Sequence, residues 1–301
     1  MNILSRIVLK ATDRDLYDRK KLEERSQQFI SQAYATRIDF PVERKPFYSF
    51  KHSGNSGDII YALPSIYTLA EGSPADLYLN LNKHLEYSIV RGRHPLINVT
   101  LNQAMFSMLR PLLMSQPEIN RCEIYNGNPI DYDLDVFRES PFPLNSGSIA
   151  RWYFLHFAIN ADLGKPWLHV KPNNDVADRI VIARSLGYHS PGIDYSFLRK
   201  YGKKILFVGV QEEFVAMRKA VPNLEFRPVS DFLELAEIIA GCRFFIGNQS
   251  FPFSIAEALK VRRVLEVCYH CPNVIVEGGD GYDFCYQPQF ERIVDKLVRQ
   301  W

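Results

Sequence analysis

Short apolar runs alternate with amphipathic segments, and the alternation is clearest in the second half of the chain. Arg179–Arg184 and Lys204–Val210 are compact runs rich in β-branched and aromatic residues, which is typical of strands buried on both faces. Glu212–Ala220 and Asp231–Ala240 have apolar residues at helical spacing, with Asp231 near the N-cap. The pattern continues as strand Arg243–Gly247, helix Phe253–Leu259, strand Arg263–Val267 and an amphipathic helix from Gln289 to Trp301. This rhythm predicts a mainly parallel, doubly wound sheet.

The first half of the chain shows the same alternation of predicted strands and helices, but less clearly. The predicted strands are Pro46–His52, Asp76–Leu81, Cys122–Tyr125 and Leu134–Phe137, and the predicted helices are Ile59–Glu71 and Ser146–Asp162. The segment before them is charged and helix-prone, and its apolar residues could form one stripe: Leu16, Leu22, Phe29 and Ile30. We interpret this segment as a helical arm that caps the body or contacts a second subunit.

Prolines and asparagines between Pro166 and Asn174 interrupt the pattern and indicate a boundary near residue 170. The predicted organisation is an N-terminal helical arm (1–45), a Rossmann-like domain (46–170), a second Rossmann-like domain (171–286) and a C-terminal helix (287–301) that packs back on the body. The predicted fold class is therefore α/β, with two doubly wound domains facing across a cleft.

Composition agrees with a packed α/β protein and excludes several other classes. The chain has 301 residues, of which 47% are hydrophobic and 23% charged, and its formal net charge is +2. That charge is small for a protein that grips long nucleic acid, although a local basic groove stays open. We find no apolar run of about 20 residues and no secretory leader, so we expect no membrane span and a cytoplasmic location. The five cysteines do not suggest a disulfide framework.

Two polar turns are placed where ligands bind in parallel sheets, between the end of a strand and the start of a helix. The first turn follows Pro46–His52 and consists of Ser53, Gly54, Asn55, Ser56, Gly57 and Asp58. Its glycines permit close backbone approach to a ligand, and the following helix offers unpaired N–H groups. Asp58 is either a helix-capping acid or a base, and the residues alone leave both open.

The second turn runs from Gly247 through Asn248, Gln249 and Ser250 to Ser254, and enters the helix that carries Glu257. Amides, hydroxyls and a helix N-terminus can hold a diphosphate without a metal ion. Helix capping alone does not need so dense a polar run. We therefore interpret this turn as a ligand loop, in preference to an ordinary strand-to-helix connection.

These two turns carry a family resemblance. The stretch Gly57–Ile66 (GDIIYALPSI) resembles the N-terminal signature of the heptosyltransferase-like glycosyltransferases, the ninth glycosyltransferase family. Asp231–Leu259, including the loop Gly247–Ser250, resembles the nucleotide-sugar loop of that family, and the order and spacing of the two motifs match. The resemblance covers residues 46–285 in outline and is specific only in those two segments.

The resemblance implies a GT-B fold, with the donor nucleotide on the C-terminal domain and the acceptor on the N-terminal one. It implies an inverting, metal-independent transfer of a hexose or heptose, with Asp58 as catalytic base and no cofactor besides the donor. The family usually has Asp-Thr-Gly and a nearby histidine in the donor loop. This chain has Gln249-Ser250-Phe251, with Ser254 where the histidine would fall. The sugar and the nucleotide base can therefore differ from those of the family.

Further donor-site candidates follow other strands of the second half. Arg184 and Ser185 end the first of these strands, where Arg184 would supply fixed charge to a diphosphate. Glu212 follows the next strand and could hold ribose hydroxyls, and Glu257 could hold a sugar or ribose hydroxyl. Each also has a structural alternative: a surface arginine for Arg184, and a first-turn helix acid for Glu212.

The cysteines Cys268, Cys271 and Cys285 leave a metal site open, but a fourth ligand is not evident unless His270 or His189 supplies it, and buried thiols are favoured. The expected partners are a nucleotide-sugar donor and a glycan or other hydroxyl-bearing acceptor, with self-association through the arm as a further option. Two other functions stay open: a non-catalytic member of the same fold that binds a nucleotide sugar or acts as a scaffold, and a transferase acting on modified nucleic acid.

Overall fold

The structure, a computed structural model, describes residues 2–38, 44–84, 99–140 and 143–300. Its first sheet has four parallel strands in the order β3-β2-β1-β4. The strands are β1 (Tyr48–His52), β2 (Ala75–Leu79), β3 (Ile119–Ile124) and β4 (Tyr132–Asp133). The helices of this half are α3 (Ser56–Ala70), α4 (Gln103–Met114) and α5 (Ile149–Phe157). The two central strands, β1 and β2, are rich in aliphatic and aromatic residues, and β2 is buried along its whole length. Such composition is typical of strands covered on both faces.

The second sheet has six parallel strands in the order β10-β9-β8-β5-β6-β7. Its strands are β5 (Ile180–Ala183), β6 (Ile205–Phe207), β7 (Glu225–Phe226), β8 (Phe244–Asn248), β9 (Arg263–Glu266) and β10 (Gly281–Phe284). Its helices are α6 (Gln211–Ala220), α7 (Phe232–Gly241), α8 (Phe251–Leu259) and α9 (Gln287–Arg299). The prediction of an α/β fold with parallel sheets is confirmed.

The two sheets share one apolar core. Helix α3 packs against α8, and α4 packs against α7, so that four helices form a layer between the sheets. One continuous cluster of buried side chains runs from Phe50 in the first sheet to Phe245 in the second. A second cluster covers the other face of the six-stranded sheet, where Phe290, Val294 and Leu297 of α9 are buried. The C-terminal helix therefore packs on the second half of the chain.

Several predicted boundaries change. Leu134–Phe137 is not a strand: Leu134–Glu139 is a 3₁₀ helix, capped by the Asp133 side chain, which accepts from the Asp135 amide. The predicted helix Ser146–Asp162 shortens to α5, because Ala158 takes a left-handed conformation at its end. Helix α4 and the strands β7 and β10 were not predicted. The domain boundary near residue 170 lies between α5 and β5, and it stays a prediction.

Two helices precede the first sheet, α1 (Ile3–Thr12) and α2 (Arg14–Ile38). Helix α1 contacts α2, and α2 packs against α5, where the Phe29 ring lies 5.0 Å from the His156 ring. Asn2 caps α1 by accepting a hydrogen bond from the Ser5 amide. Within the described part of the chain, no helix combines the length and the apolar character that a membrane span requires.

Candidate functional site

Asp58 lies in the first turn of α3, at the carboxyl end of the central strand β1. Its carboxylate is partly exposed and accepts a hydrogen bond from Arg138, whose Nη2 is 2.5 Å from Oδ2. Arg138 comes from the 3₁₀ helix after β4, and its Nη1 also donates to Asp135 at 3.1 Å. The arginine thus supplies the countercharge of Asp58. Oδ1 of Asp58 has no hydrogen-bond partner among the described residues.

Gly54 makes this arrangement possible because no side chain would fit there. A Cβ on Gly54 would lie 2.4 Å from Arg138 Nη2, 2.5 Å from His52 Cε1 and 3.0 Å from Asp58 Oδ2. The glycine therefore lets the acid, the arginine and the imidazole close over the turn. We predicted that the glycines of this turn permit close approach of the backbone to a ligand. In the structure, the groups that approach Gly54 closely are protein side chains.

The buried His52 ring holds the Ser53–Asp58 turn through hydrogen bonds. The ring is fully buried, its Nδ1 accepts from the Gly54 amide at 2.8 Å, and its Nε2 lies 2.7 Å from the Tyr153 hydroxyl. Because Nδ1 accepts, the proton of the neutral ring belongs on Nε2, which donates to Tyr153. The Tyr153 hydroxyl in turn donates to the backbone oxygen of Asp58 at 3.4 Å. Burial lowers the pKa of His52 to about 4, so the ring is neutral near pH 7.

The two serines of the first turn are buried and differ in their hydrogen-bond partners. Ser53 is buried and donates from its amide and hydroxyl to Asp135, at 2.9 and 2.6 Å. Asn55 occupies the N-cap position of α3. Ser56 Oγ is buried and has no hydrogen-bond partner within the described residues. Ser53 thus anchors the turn to the 3₁₀ helix, and Ser56 keeps an unused hydroxyl at the helix N-terminus.

The two predicted turns meet in space. A Cβ on Gly57 would lie 3.7 Å from Ser254 Oγ and 3.9 Å from Phe251 Cα, so the first turn of α3 touches the first turn of α8. The N-terminal N–H groups of a helix lack intrahelical partners and carry partial positive charge. Two such ends, separated by almost 200 residues of chain, therefore converge beside Asp58.

Trp167 holds the two helices together. Its indole N–H donates to the Ile60 oxygen of α3 at 3.0 Å, and its backbone N–H donates to the Ala258 oxygen of α8 at 2.9 Å. Lys260 lies over its ring, 4.5 Å from the centroid. Trp167 falls in the proline-rich segment that we predicted to be an interdomain boundary, so no sequence pattern indicated a role for it.

The polar side chains of the second turn mostly bind other parts of the protein. Gln249 is buried; its Oε1 accepts from the Cys268 amide at 2.6 Å, and its Nε2 donates to the Cys271 oxygen at 2.8 Å and to Asn273 Oδ1 at 3.0 Å. Asn248 Oδ1 accepts from the Ser185 amide at 3.0 Å, and its Nδ2 donates to Gly187 O at 2.5 Å.

The hydroxyls of this turn bond locally. Ser254 Oγ donates to the Phe251 oxygen at 2.7 Å, and Ser250 Oγ to the Asn248 oxygen at 3.3 Å. Gly247 lies in β8 against Ala183 and Phe245, where a Cβ would be 2.7 Å from the Phe245 ring. Ligand contacts by this turn would thus come mainly from the backbone N–H groups that begin α8.

Arg184 is neither a bare surface arginine nor an uncompensated positive charge. Its Nε and Nη2 donate to the two oxygens of Glu266, at 2.7 and 2.8 Å, and its guanidinium lies 4.6 Å from the Tyr195 ring centroid. Glu266 is buried and also accepts from the Ser190 amide and the Tyr195 hydroxyl. The charge of Arg184 is therefore already balanced at the end of β5.

The two acidic donor-site candidates, Glu257 and Glu212, have different surroundings. Glu257 is buried, with Oε2 2.5 Å from Arg263 Nε, and Oε1 accepting from Lys260 and from the Glu277 amide. Its carboxylate is thus engaged on both oxygens and not open to a sugar. Glu212 is exposed on α6.

Glu213, the neighbour of Glu212, turns toward the end of β6 instead. A Cβ on Gly209 would lie 2.8 Å from its Oε2, and that oxygen accepts from the Val210 amide at 3.4 Å. Burial raises the pKa of Glu213 to about 7. This is the carboxylate that the structure offers at the site where ribose-binding acids occur in such sheets.

All five cysteines are free thiols, with Cys268 and Cys271 buried and Cys285 exposed. No group of three or more histidine, cysteine, aspartate or glutamate side chains suited to a metal ion occurs in residues 2–38, 44–84, 99–140 and 143–300. The turn Cys268–Cys271 is instead held by Gln249 and by its own backbone hydrogen bond.

No protein-family model matches the sequence, and no curated protein matches it either. Solved structures do share its fold. The glycosyl transferase family 9 protein from Veillonella parvula DSM 2008 is 11% identical, with a TM-score of 0.50 over 83% of this chain and 90% of that chain. E. coli heptosyltransferase WaaC, solved with ADP-2-deoxy-2-fluoro heptose, is 9% identical, with a TM-score of 0.53 over 85% and 100%.

The heptosyltransferase TibC of enterotoxigenic E. coli H10407 is similar in the same way. Described as iron-containing and dodecameric, and solved in complex with ADP-D-β-D-heptose, it is 11% identical, with a TM-score of 0.54 over 84% of this chain and 77% of that chain. The class that the sequence motifs indicated, the fold of the family 9 heptosyltransferases, is thereby confirmed. At these identities the likeness establishes the fold.

Proposed function

We propose that this chain is a glycosyltransferase that moves a sugar from a nucleotide-diphosphate sugar to a hydroxyl acceptor, with inversion and without a metal ion. The observation that carries the proposal is the convergence of Asp58 and the N-terminus of α8, two motifs that lie far apart in sequence. Fold-level likeness to heptosyltransferases solved with ADP-sugars supports a nucleotide sugar as donor. The expected compartment is the cytoplasm, where nucleotide sugars are made.

In this mechanism Oδ1 of Asp58 takes the proton from the acceptor hydroxyl. The acceptor oxygen bonds to the anomeric carbon as the bond from that carbon to the diphosphate breaks, and the nucleoside diphosphate leaves. The backbone N–H groups and dipole of α8 stabilise the charge that develops on the leaving diphosphate. Arg138 and the His52–Tyr153 pair act by holding Asp58 and its turn in place.

The donor contacts are proposed from the groups that lie near this convergence and at the end of β6. Ser250 is the partly exposed residue that precedes α8, and its position there suits a contact with the donor. Glu213 is the acid proposed for the ribose hydroxyls, in place of Glu212. Asn248, Gln249 and Ser254 serve the donor indirectly, by shaping the loop.

The first experiment is a thermal-shift screen of the purified protein against nucleoside diphosphates and nucleotide sugars, with and without magnesium. A ligand at 100 times its dissociation constant adds about 2.7 kcal/mol of stability. The nucleotide sugar that raises the melting temperature is then used to assay transfer. Asp58→Asn should lower turnover at least about 100-fold while keeping the thermal shift. The matched control Asp162→Asn, which changes an exposed aspartate, should keep both. Turnover by Asp58→Asn within threefold of the wild type would remove Asp58 as the base.

A second function, a nucleotide-sugar-binding scaffold without catalysis, is favoured by one observation. The side chains of Asn248, Gln249 and Ser254 are committed to internal hydrogen bonds, and none of them is free to contact a sugar. Under this alternative the screen gives a binding donor, and no acceptor or water consumes it. Release of the nucleoside diphosphate by the wild type, lost in Asp58→Asn, would exclude it.

A further inference from the structure

Helix α1 exposes an apolar face that no other described element covers. Ile3 and Leu4 are each 76% exposed, Ile7 is 61% exposed and Val8 is 59% exposed. No residue of this helix is buried. Large aliphatic side chains at single surface positions are ordinary, but four that form one contiguous face of a helix indicate an interaction surface.

The face points away from the protein. Helix α1 contacts α2 through its opposite side, where Leu9 is partly buried and Arg6 Nη2 lies 2.5 Å from Glu24 Oε2. At 3.6 residues per turn, the centre of the apolar face lies roughly 160° around the helix axis from this contact. Helix α2 therefore packs on the side of α1 opposite the apolar face, and that face is directed to solvent.

Charge and size indicate what covers the face. Between Ile3 and Thr12 there is no acidic residue, while Arg6 and Lys10 lie beside the edge that begins at Ile3. The first acids, Asp13 and Asp15, come after the helix ends or in the next one. Four aliphatic side chains form a patch smaller than the roughly 800 Å² per partner that a stable protein interface buries. Such a patch is sufficient for shallow insertion at a lipid interface.

We propose that α1 is an interfacial membrane-binding helix, which inserts Ile3, Leu4, Ile7 and Val8 among the acyl chains of an anionic bilayer. Lys10, with Arg6 when it leaves Glu24, contacts the lipid headgroups. The helix lies in the membrane surface and does not cross it. The proposal is independent of the proposed function, because it uses no residue of the sugar-transfer site.

The test is co-sedimentation of the full chain with vesicles. One set contains phosphatidylcholine alone, and the other phosphatidylcholine with about 30% phosphatidylglycerol, which gives the surface a negative potential. The wild type should pellet with the anionic vesicles and several-fold less with the neutral ones. Leu4→Gln and Ile7→Gln should each lower the partition coefficient about tenfold, because each removes one inserted side chain. Glutamine keeps good helix propensity, so α1 itself should persist.

Val215→Gln is the matched control, since it changes another half-exposed aliphatic residue on a helix surface, that of α6. It should bind vesicles as the wild type does. Failure of the wild type to bind anionic vesicles overturns the proposal, and so does unchanged binding by both α1 variants. Light scattering tests the alternative that a second copy of the chain covers the apolar face. A wild-type dimer that Leu4→Gln converts to a monomer would show this and overturn the proposal.

Discussion

His52 makes a prediction that needs no knowledge of the substrate. Burial lowers the pKa of its imidazole from 6.5 to about 4. Between these two pH values the imidazole is protonated in the unfolded chain and neutral in the folded protein. Above pH 6.5 the ring is neutral in both states and contributes no pH dependence. Between pH 6.5 and pH 4 only the unfolded state gains the proton, so the free energy of unfolding falls as the pH falls.

The magnitude follows from the two pKa values. Between pH 7 and pH 5 the His52 contribution to the free energy of unfolding should fall by about 2 kcal/mol. His52→Gln replaces the ring with an amide that does not titrate. Lowering the pH from 7 to 5 should therefore cost the wild type about 2 kcal/mol more than it costs the variant, whatever stability the variant has lost at pH 7.

The assay is urea unfolding of both proteins at the two pH values, followed by circular dichroism. Comparing the two losses cancels every other titrating group, including Glu213, whose raised pKa acts with the opposite sign. His270→Gln is the matched control, because its ring lies at the surface. Equal losses for the wild type and His52→Gln would refute a buried, neutral His52 beneath the Asp58 turn.

Three further predictions concern stability. Gly54→Ala should cost about 1–3 kcal/mol, since its methyl group would collide with the buried His52 ring; a melting temperature equal to that of the wild type would contradict this close approach. Glu213→Gln should stabilise the protein near pH 8 and have little effect near pH 4. The pKa of Glu213 is about 7 in the folded protein and 4.5 ordinarily, so the carboxyl opposes folding only where it is ionised in the unfolded chain. Melting temperatures of the variant and the wild type at pH 8 and pH 4 test this. Arg263→Met should cost about 3–5 kcal/mol by leaving the buried Glu257 carboxylate without its strongest partner, and chemical denaturation measures it. A loss below about 1 kcal/mol would mean that Lys260 alone compensates Glu257.

The parts of this molecule that could be predicted from the sequence are those encoded locally. The buried runs at residues 180–183 and 244–247 are apolar along their whole length, which indicates a strand wherever they fall in the fold. The Asp231 cap is also encoded locally, and its side chain accepts from the Glu234 amide as its position suggested. Both polar turns were predicted as strand-to-helix connections for the same reason, and their role in ligand binding stays a prediction.

The partners of the site residues could not be predicted, because tertiary contacts supply them. Arg138 is 80 positions from Asp58, and it follows a two-residue strand that has no periodicity to detect. Gln249 and Asn248 are polar residues in a polar turn, and no local pattern distinguishes a ligand contact from a hydrogen bond to a neighbouring loop. Glu257 shows the same difficulty on a helix, where burial against Arg263 decided its role.

The shared core has a consequence for engineering. Here Trp167 bonds to α3 and α8 at once, and the apolar layer between the sheets belongs to both halves. A chimera cut near residue 170 would therefore join two surfaces that had not been selected to fit each other. New specificity in this scaffold is better sought by changing loops on an intact α3–α8 contact than by recombining halves.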